Sequence, residues 1–147
     1  MSPMAAEPSA PTRHHARIVW EGTKDDLRAH RVELASQTLL ASSMPERGGD
    51  AERADPEEMF VASLSSCHML WFLHGARERR LRVVSYEDEA VGELDGERIT
   101  RVELRPRVVF EAEPGVDVLA ALHHEAHDRC FLAASVNFPV EVVAEGA

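Results

Sequence analysis

Cysteine is scarce. Two residues, Cys67 and Cys130, occur in a chain of 147, too few for the disulfide framework that staples a small secreted domain, though enough for one reversible pair. Basic side chains are in deficit as well. Sixteen Lys and Arg stand against 26 Asp and Glu, a formal net charge of −10, and a field of that sign repels phosphate backbones and anionic lipid surfaces. No nucleic-acid partner is expected. No apolar run reaches the roughly 20 residues of a membrane span; the longest, 59–73, holds 15 and includes Ser63, Ser65, Ser66, Cys67 and His68. No membrane partner is expected either. The first dozen residues are rich in Ala, Ser and Pro and lack the basic flank and apolar stretch of a secretory signal. A cytoplasmic location is expected by default, where thiols stay reduced unless they react in a cycle. That directs attention to redox or metal chemistry and away from structural bridging.

What is present is an ordinary globular balance, 44% apolar and 29% charged, in a chain of single-domain size. Residues 1–13 read as a disordered N-terminal tail and 14–147 as one domain. Residues 15–20 and 31–40 alternate loosely between β-branched or aromatic and polar side chains across a turn signal at 22–26, which predicts two or three short strands. The polar, breaker-rich stretch 44–54 predicts a loop. A helix should follow: Asp55 is a good N-cap, Pro56 suits the first helical position, and Glu58 three residues after Asp55 completes a capping-box pattern. It extends to about Arg79, apolar on nearly every side, so it reads as a buried spine with Cys67 at its centre. Residues 81–94 and 99–110 flank Asp95-Gly96 and predict a long antiparallel hairpin. Pro106 in its second arm implies an edge or a bulge, because proline cannot donate to the ladder. Asp117 can cap a second helix whose apolar positions Leu119, Leu122, Ala126 and Cys130 recur at helical spacing. Asn137-Phe138-Pro139 ends the helical stretch, and 140–143 makes a last short strand. The order of elements predicts an antiparallel α+β layout. A spine helix this apolar needs a second subunit to complete its burial, so a homodimer is expected.

The two cysteines, 130 − 67 = 63 residues apart, both fall on predicted inward helix faces. Two accounts stand side by side. A free cysteine is a small hydrophobe commonly found buried, whereas a nucleophilic thiol needs a partly wet pocket and a group that stabilises its thiolate. The residues favour the second account through their context. Asp55-Pro56-Glu57-Glu58-Met59-Phe60-Val61-Ala62-Ser63-Leu64-Ser65-Ser66-Cys67 resembles the "NPEELLAAALASC" helix of the OsmC/Ohr family, named for osmotically inducible protein C and organic hydroperoxide resistance protein. Cys130, preceded by Ala126-His127 and followed by Ser135, Asn137 and Val140-Glu141-Val142, is similar to that family's second cysteine and closing strand.

The resemblance implies an OsmC-like intertwined homodimer, a long central helix per subunit wrapped by antiparallel sheets, with one site per subunit at the interface. It implies a thiol peroxidase in which Cys67 attacks an organic hydroperoxide and Cys130 closes a disulfide on the resulting sulfenic acid, a dithiol then restoring both. No metal or organic cofactor is required. Glu57 matches the family's acidic residue, which acts with an arginine. Of the basic residues near the early turn, Lys24, Arg28 and Arg31, Arg28 is the choice because it follows the turn signal. The sequence departs from the organic hydroperoxide branch where Phe131, and not proline, follows the second cysteine.

Glu57 and Cys67 are ten residues apart, roughly 15 Å of rise on a straight helix, so Glu57 cannot touch Cys67 along its own helix. The carboxylate would have to arrive by a bend or from the other subunit; otherwise it is a helix-start charge favoured by the macrodipole. His123 and His127 have an i, i+4 spacing that can bind zinc, but His124-Glu125-Ala126-His127 is one residue short of the H-E-x-x-H pattern, and the cluster reads as a polar face exposed to water. His68 points to a different side of its helix from Cys67, whereas Trp71, four residues on, can line the same pocket. The alternative to an enzyme is an OsmC-like small-ligand-binding or stress protein whose thiols do no chemistry.

Overall fold

A computed structural model describes residues 10–143. The first nine residues of the expected tail and the last four of the expected domain lie outside the described residues. Contacts group the chain into two units, 1–59 and 60–147.

The first unit is built on a three-stranded antiparallel sheet, β1 (Arg17–Trp20), β2 (His30–Leu34) and β3 (Gln37–Ala41), in that order. A two-residue turn joins β2 to β3, and Ala35 takes a positive φ of 53° there. The Arg53 guanidinium ties the polar loop to the sheet, donating to Glu21 at 2.8 Å and to the carbonyls of His30 and Ala41 at 3.2 and 3.3 Å. The capping box forms as the sequence predicts: Glu58 N–H donates to Asp55 Oδ1 at 2.7 Å and Asp55 N–H donates to Glu58 Oε1 at 2.9 Å. These two bonds satisfy donors that a helix start otherwise leaves orphaned.

The helix they open, α1 (Pro56–Glu78), carries the buried residues Leu64, His68, Trp71, Phe72, Gly75 and Ala76. Their spacing of four, three, one, three and one marks a single stripe. The expectation of burial on nearly every side is thus corrected for the isolated chain: Leu70 and Phe60 are 49% and 38% exposed, because one chain has too little apolar surface to cover the rest.

In the second unit the long hairpin exists but is broken into two ladders. β4 (Val83–Asp88) pairs with β7 (Pro106–Phe110), and β5 (Val91–Asp95) with β6 (Arg98–Leu104), both antiparallel. Pro106 opens β7 at the break, consistent with its missing donor. The turn falls one residue later than predicted, on Gly96-Glu97, where Gly96 has φ 67°. β8 (Val140–Val142) then lies parallel to β6, making a mixed sheet of order β5-β6-β8 where an all-antiparallel one was expected. Leu64, Val102, Leu104 and Val140 form the core there. Gly92 lets the strand approach α1, since a Cβ at that position would stand 2.5 Å from a Val61 methyl.

The second helix, α2 (Val116–Arg129), starts one residue before Asp117, with Gly115 at the cap and no side-chain cap bond. Asp117 is therefore a first-turn charge favoured by the macrodipole, not the cap. Arg129 ends the helix well before Asn137, and Cys130 is its C-cap residue. Among the described residues no helix is long and apolar enough to cross a membrane.

Replacing Asp55 by Ala is expected to destabilise the protein by about 1 kcal/mol, read as a lower denaturation midpoint at unchanged slope. A midpoint equal to the parent's would show that the capping box contributes nothing.

Candidate functional site

The two sulfurs meet. Cys67 sits half-buried at mid-length of α1, and Cys130 is buried, 2% exposed, just past the last turn of α2. Burial pushes the Cys130 thiol up to about 11, and the neighbouring Cys67 thiol adds to the rise. The Ala133 N–H opposes this weakly, pointing at the Cys130 sulfur from 3.4 Å. Cys130 therefore holds its proton, while Cys67 is the member that solvent can reach. Both are free thiols.

The local chain explains how Cys130 comes to face α1. Its φ of −69° and ψ of 112° leave the helix. Its carbonyl accepts from Ala134 N–H at 3.1 Å, and the Ser135 hydroxyl donates to the Phe131 carbonyl at 2.7 Å. A tight irregular turn thus replaces the helix and folds the segment back. Trp71 is buried beneath it, in ring contact with Phe131 at 5.5 Å.

Next to the thiols lies a pair of histidines that the sequence reading placed elsewhere. His68 and His123 are 1% and 6% exposed and joined Nε2 to Nδ1 at 3.0 Å. The ring of Phe72 lies 4.4 Å from that of His123. His123 is thus not on a water-exposed face: α2 turns it toward α1, where an apolar wall and the His68 ring take it up. Burial brings both imidazoles down to about 4, with the neighbouring His123 and His127 adding to the effect on His68. They are neutral at physiological pH, which lets one donate to the other. His124 does face water and pairs with Asp128 at 3.2 Å. Ser65 donates to Asp88, and the buried Tyr86 hydroxyl has no hydrogen-bond partner among the described residues. Among the described residues no three His, Cys, Asp or Glu side chains come together as a metal-binding group.

The remaining expected site residues belong to the first unit. Glu57 is half-buried in the first turn of α1. Arg28 is exposed, its guanidinium beside Gly48, and its N–H donates to Asp26 at 2.9 Å. Arg31 is held by Glu33 at 3.0 Å. Sequence reasoning missed Arg129, whose guanidinium lies over the Trp71 ring at 5.6 Å. Its position one residue before Cys130 was the available signal.

The model of the family described as OsmC-like protein matches residues 49–145. No curated protein matches the chain. Among solved structures it is similar to an OsmC-like protein of unknown function from Vibrio cholerae, with 38% identity, a TM-score of 0.84, and coverage of 91% of this chain and 99% of that one. It shares the fold of an organic hydroperoxide resistance protein from Legionella pneumophila at 18% identity and a TM-score of 0.69, covering 92% and 97% of the two chains. A third, an organic hydroperoxide resistance protein from Elizabethkingia anophelis, aligns at 16% identity and a TM-score of 0.70, over 92% and 99%.

The buried imidazoles make stability depend on pH. Their folded values near 4 lie below the ordinary 6.5, so between those limits the unfolded chain binds the extra protons. The contribution is intact above pH about 6.5 and is lost as the pH falls toward 4, on the order of 1–2 kcal/mol per histidine by pH 5. Denaturant titrations at pH 7 and 5 should show this loss, and a His68→Leu/His123→Leu double variant should show much less of it.

Proposed function

This chain belongs to the OsmC-like protein family, and from that membership we propose that it is a thiol-dependent peroxidase that reduces organic hydroperoxides through a Cys67/Cys130 cycle. The observation that carries the reading is that the two thiols, 130 − 67 = 63 residues apart in sequence, are close enough for Cys67 to help raise the Cys130 pKa. Two core cysteines placed by packing alone have no reason to come to each other.

The order of events follows from access and from the proton. Cys67, the reachable sulfur, attacks as thiolate the terminal oxygen of the hydroperoxide. The O–O bond breaks, the alcohol leaves with one proton, and Cys67 becomes a sulfenic acid. Cys130 then attacks the Cys67 sulfur. The S–O bond breaks, the S–S bond forms, and the Cys130 proton leaves with the hydroxyl as water. Two electrons have passed from the thiols to the substrate. A dithiol reductant returns them by exchange. Sulfur carries the electrons throughout, so no metal or organic cofactor is needed.

In this proposal Glu57 and Arg28 are the polar partners of the thiolate and the peroxide oxygens, and the working form is a homodimer. The exposed Leu70 and Phe60 on α1 support the second copy, since their burial against it would remove apolar surface from water. The organic substituent suits the apolar and aromatic surroundings of the thiols, Trp71 and Phe131 among them.

The test is stopped-flow mixing of reduced protein with cumene hydroperoxide and with hydrogen peroxide, followed by thiol counting. Fast loss of two thiols per chain with the bulky oxidant is expected. Cys67→Ser should abolish consumption, whereas Cys130→Ser should consume one equivalent and accumulate a sulfenic acid that dimedone traps. Thiols that survive in the parent protein would sink the proposal and favour a small-ligand-binding role with inert thiols.

A further inference from the structure

We propose that Trp71 is the positioning residue for disulfide closure between Cys67 and Cys130, an inference that rests on the two-thiol reading above. Cys67 and Trp71 are four residues apart on α1, one turn along the same face. From the other side, both chain neighbours of Cys130 reach that one indole. Phe131 meets it edge-on, with centroids 5.5 Å apart and planes at 87°. Arg129 lies over it at 5.6 Å and donates to Glu78, also on α1, at 3.1 Å.

Cys130 has left the helix, so α2 does not dictate its direction. Its backbone is gripped on both flanks by a side chain seated one turn from the other sulfur. Trp71 is itself 3% exposed and braced by His74, edge-on at 5.9 Å. The indole N–H has no acceptor among the described residues, so contacts to the ring itself, from Phe131, His74 and Arg129, hold the side chain. A disulfide requires sulfurs about 2.05 Å apart, and displacements of about 1 Å can cost on the order of a hundredfold in such intramolecular steps. The indole sets the effective concentration of one thiol at the other.

The experiment equilibrates full-length protein with glutathione redox buffers and counts thiols. One oxidised glutathione is reduced to two glutathiones as two protein thiols lose two protons and two electrons and become the Cys67–Cys130 disulfide. Trp71→Leu should lower the equilibrium constant for disulfide formation about thirtyfold and Phe131→Ala about tenfold, the latter raising the reduction potential by about 30 mV. Trp71→Phe should stay within about threefold of the parent. The Trp71→Leu/Phe131→Ala double variant should be no worse than Trp71→Leu alone, because both changes remove the same contact.

Leu104→Ala, a core change on β6, controls for lost stability and should leave the constant unmoved. Should Trp71→Leu fail to fold, Phe131→Ala decides, since Phe131 is 62% exposed and its removal is tolerable. A folded Phe131→Ala variant with the parent's constant overturns the inference, as does a Leu104→Ala loss of equal size. No hydroperoxide enters this assay. A parent protein that forms the disulfide yet ignores hydroperoxides would refute the proposed function and leave the positioning role standing, and an unmoved constant in an active peroxidase would do the reverse.

Discussion

One stripe of α1 organises the second unit. Leu64, His68, Trp71, Phe72, Gly75 and Ala76 are the only residues of that helix fully withdrawn from solvent, and α2, β4 and β7 contribute rings that pack against them. Phe72 touches Tyr86, Phe110 and His123; Leu64 belongs to the cluster with Val102, Leu104 and Val140. The stripe meets α2 through His123, and Cys130, one residue past the end of α2, is turned toward α1 by the irregular segment that follows it.

The polar groups near that contact are few, and each is muted by burial. Two neutral imidazoles satisfy each other, so no charge is stranded in an apolar wall, where it would cost several kcal/mol. Cys130 keeps its proton for the same reason. The ion pairs beside the α1–α2 contact, Arg79, one residue past α1, to Glu125 at 2.6 Å and Arg129 to Glu78, lie at the solvent edge, where such pairs contribute little stability. Packing therefore sets the geometry, and burial sorts the two sulfurs into a reachable one and a shielded one.

Elements with strong local signals were legible. The capping box at Asp55 and Glu58 placed the start of α1, and the Asp95-Gly96 turn signal placed the long hairpin to within one residue. Signals that depend on partners misled. Asp117 looked like a cap, but the extended Gly115 let the helix begin earlier. The 123–127 histidines looked like a wet surface, because helical spacing says which residues share a face and not what that face meets. The full apolar girth of α1 read as burial, whereas one chain covers only a stripe. The parallel pairing of β8 with β6 had no local signature, since it joins residues nearly forty positions apart.

By itself the sequence determined the local chemistry: two thiols on or beside helices, an acidic helix entry, a strongly negative chain with no apolar run long enough for a membrane, and motifs close enough to the OsmC-like pattern to place the fold. Those properties depend on neighbours along the chain, which a sequence states outright. Tertiary structure alone decided that Cys130 leaves its helix to come beside Cys67, that His68 and His123 hide together, and that Arg129 and Phe131 close on Trp71. Each joins side chains more than fifty residues apart, and such contacts depend on how whole helices seat against one another.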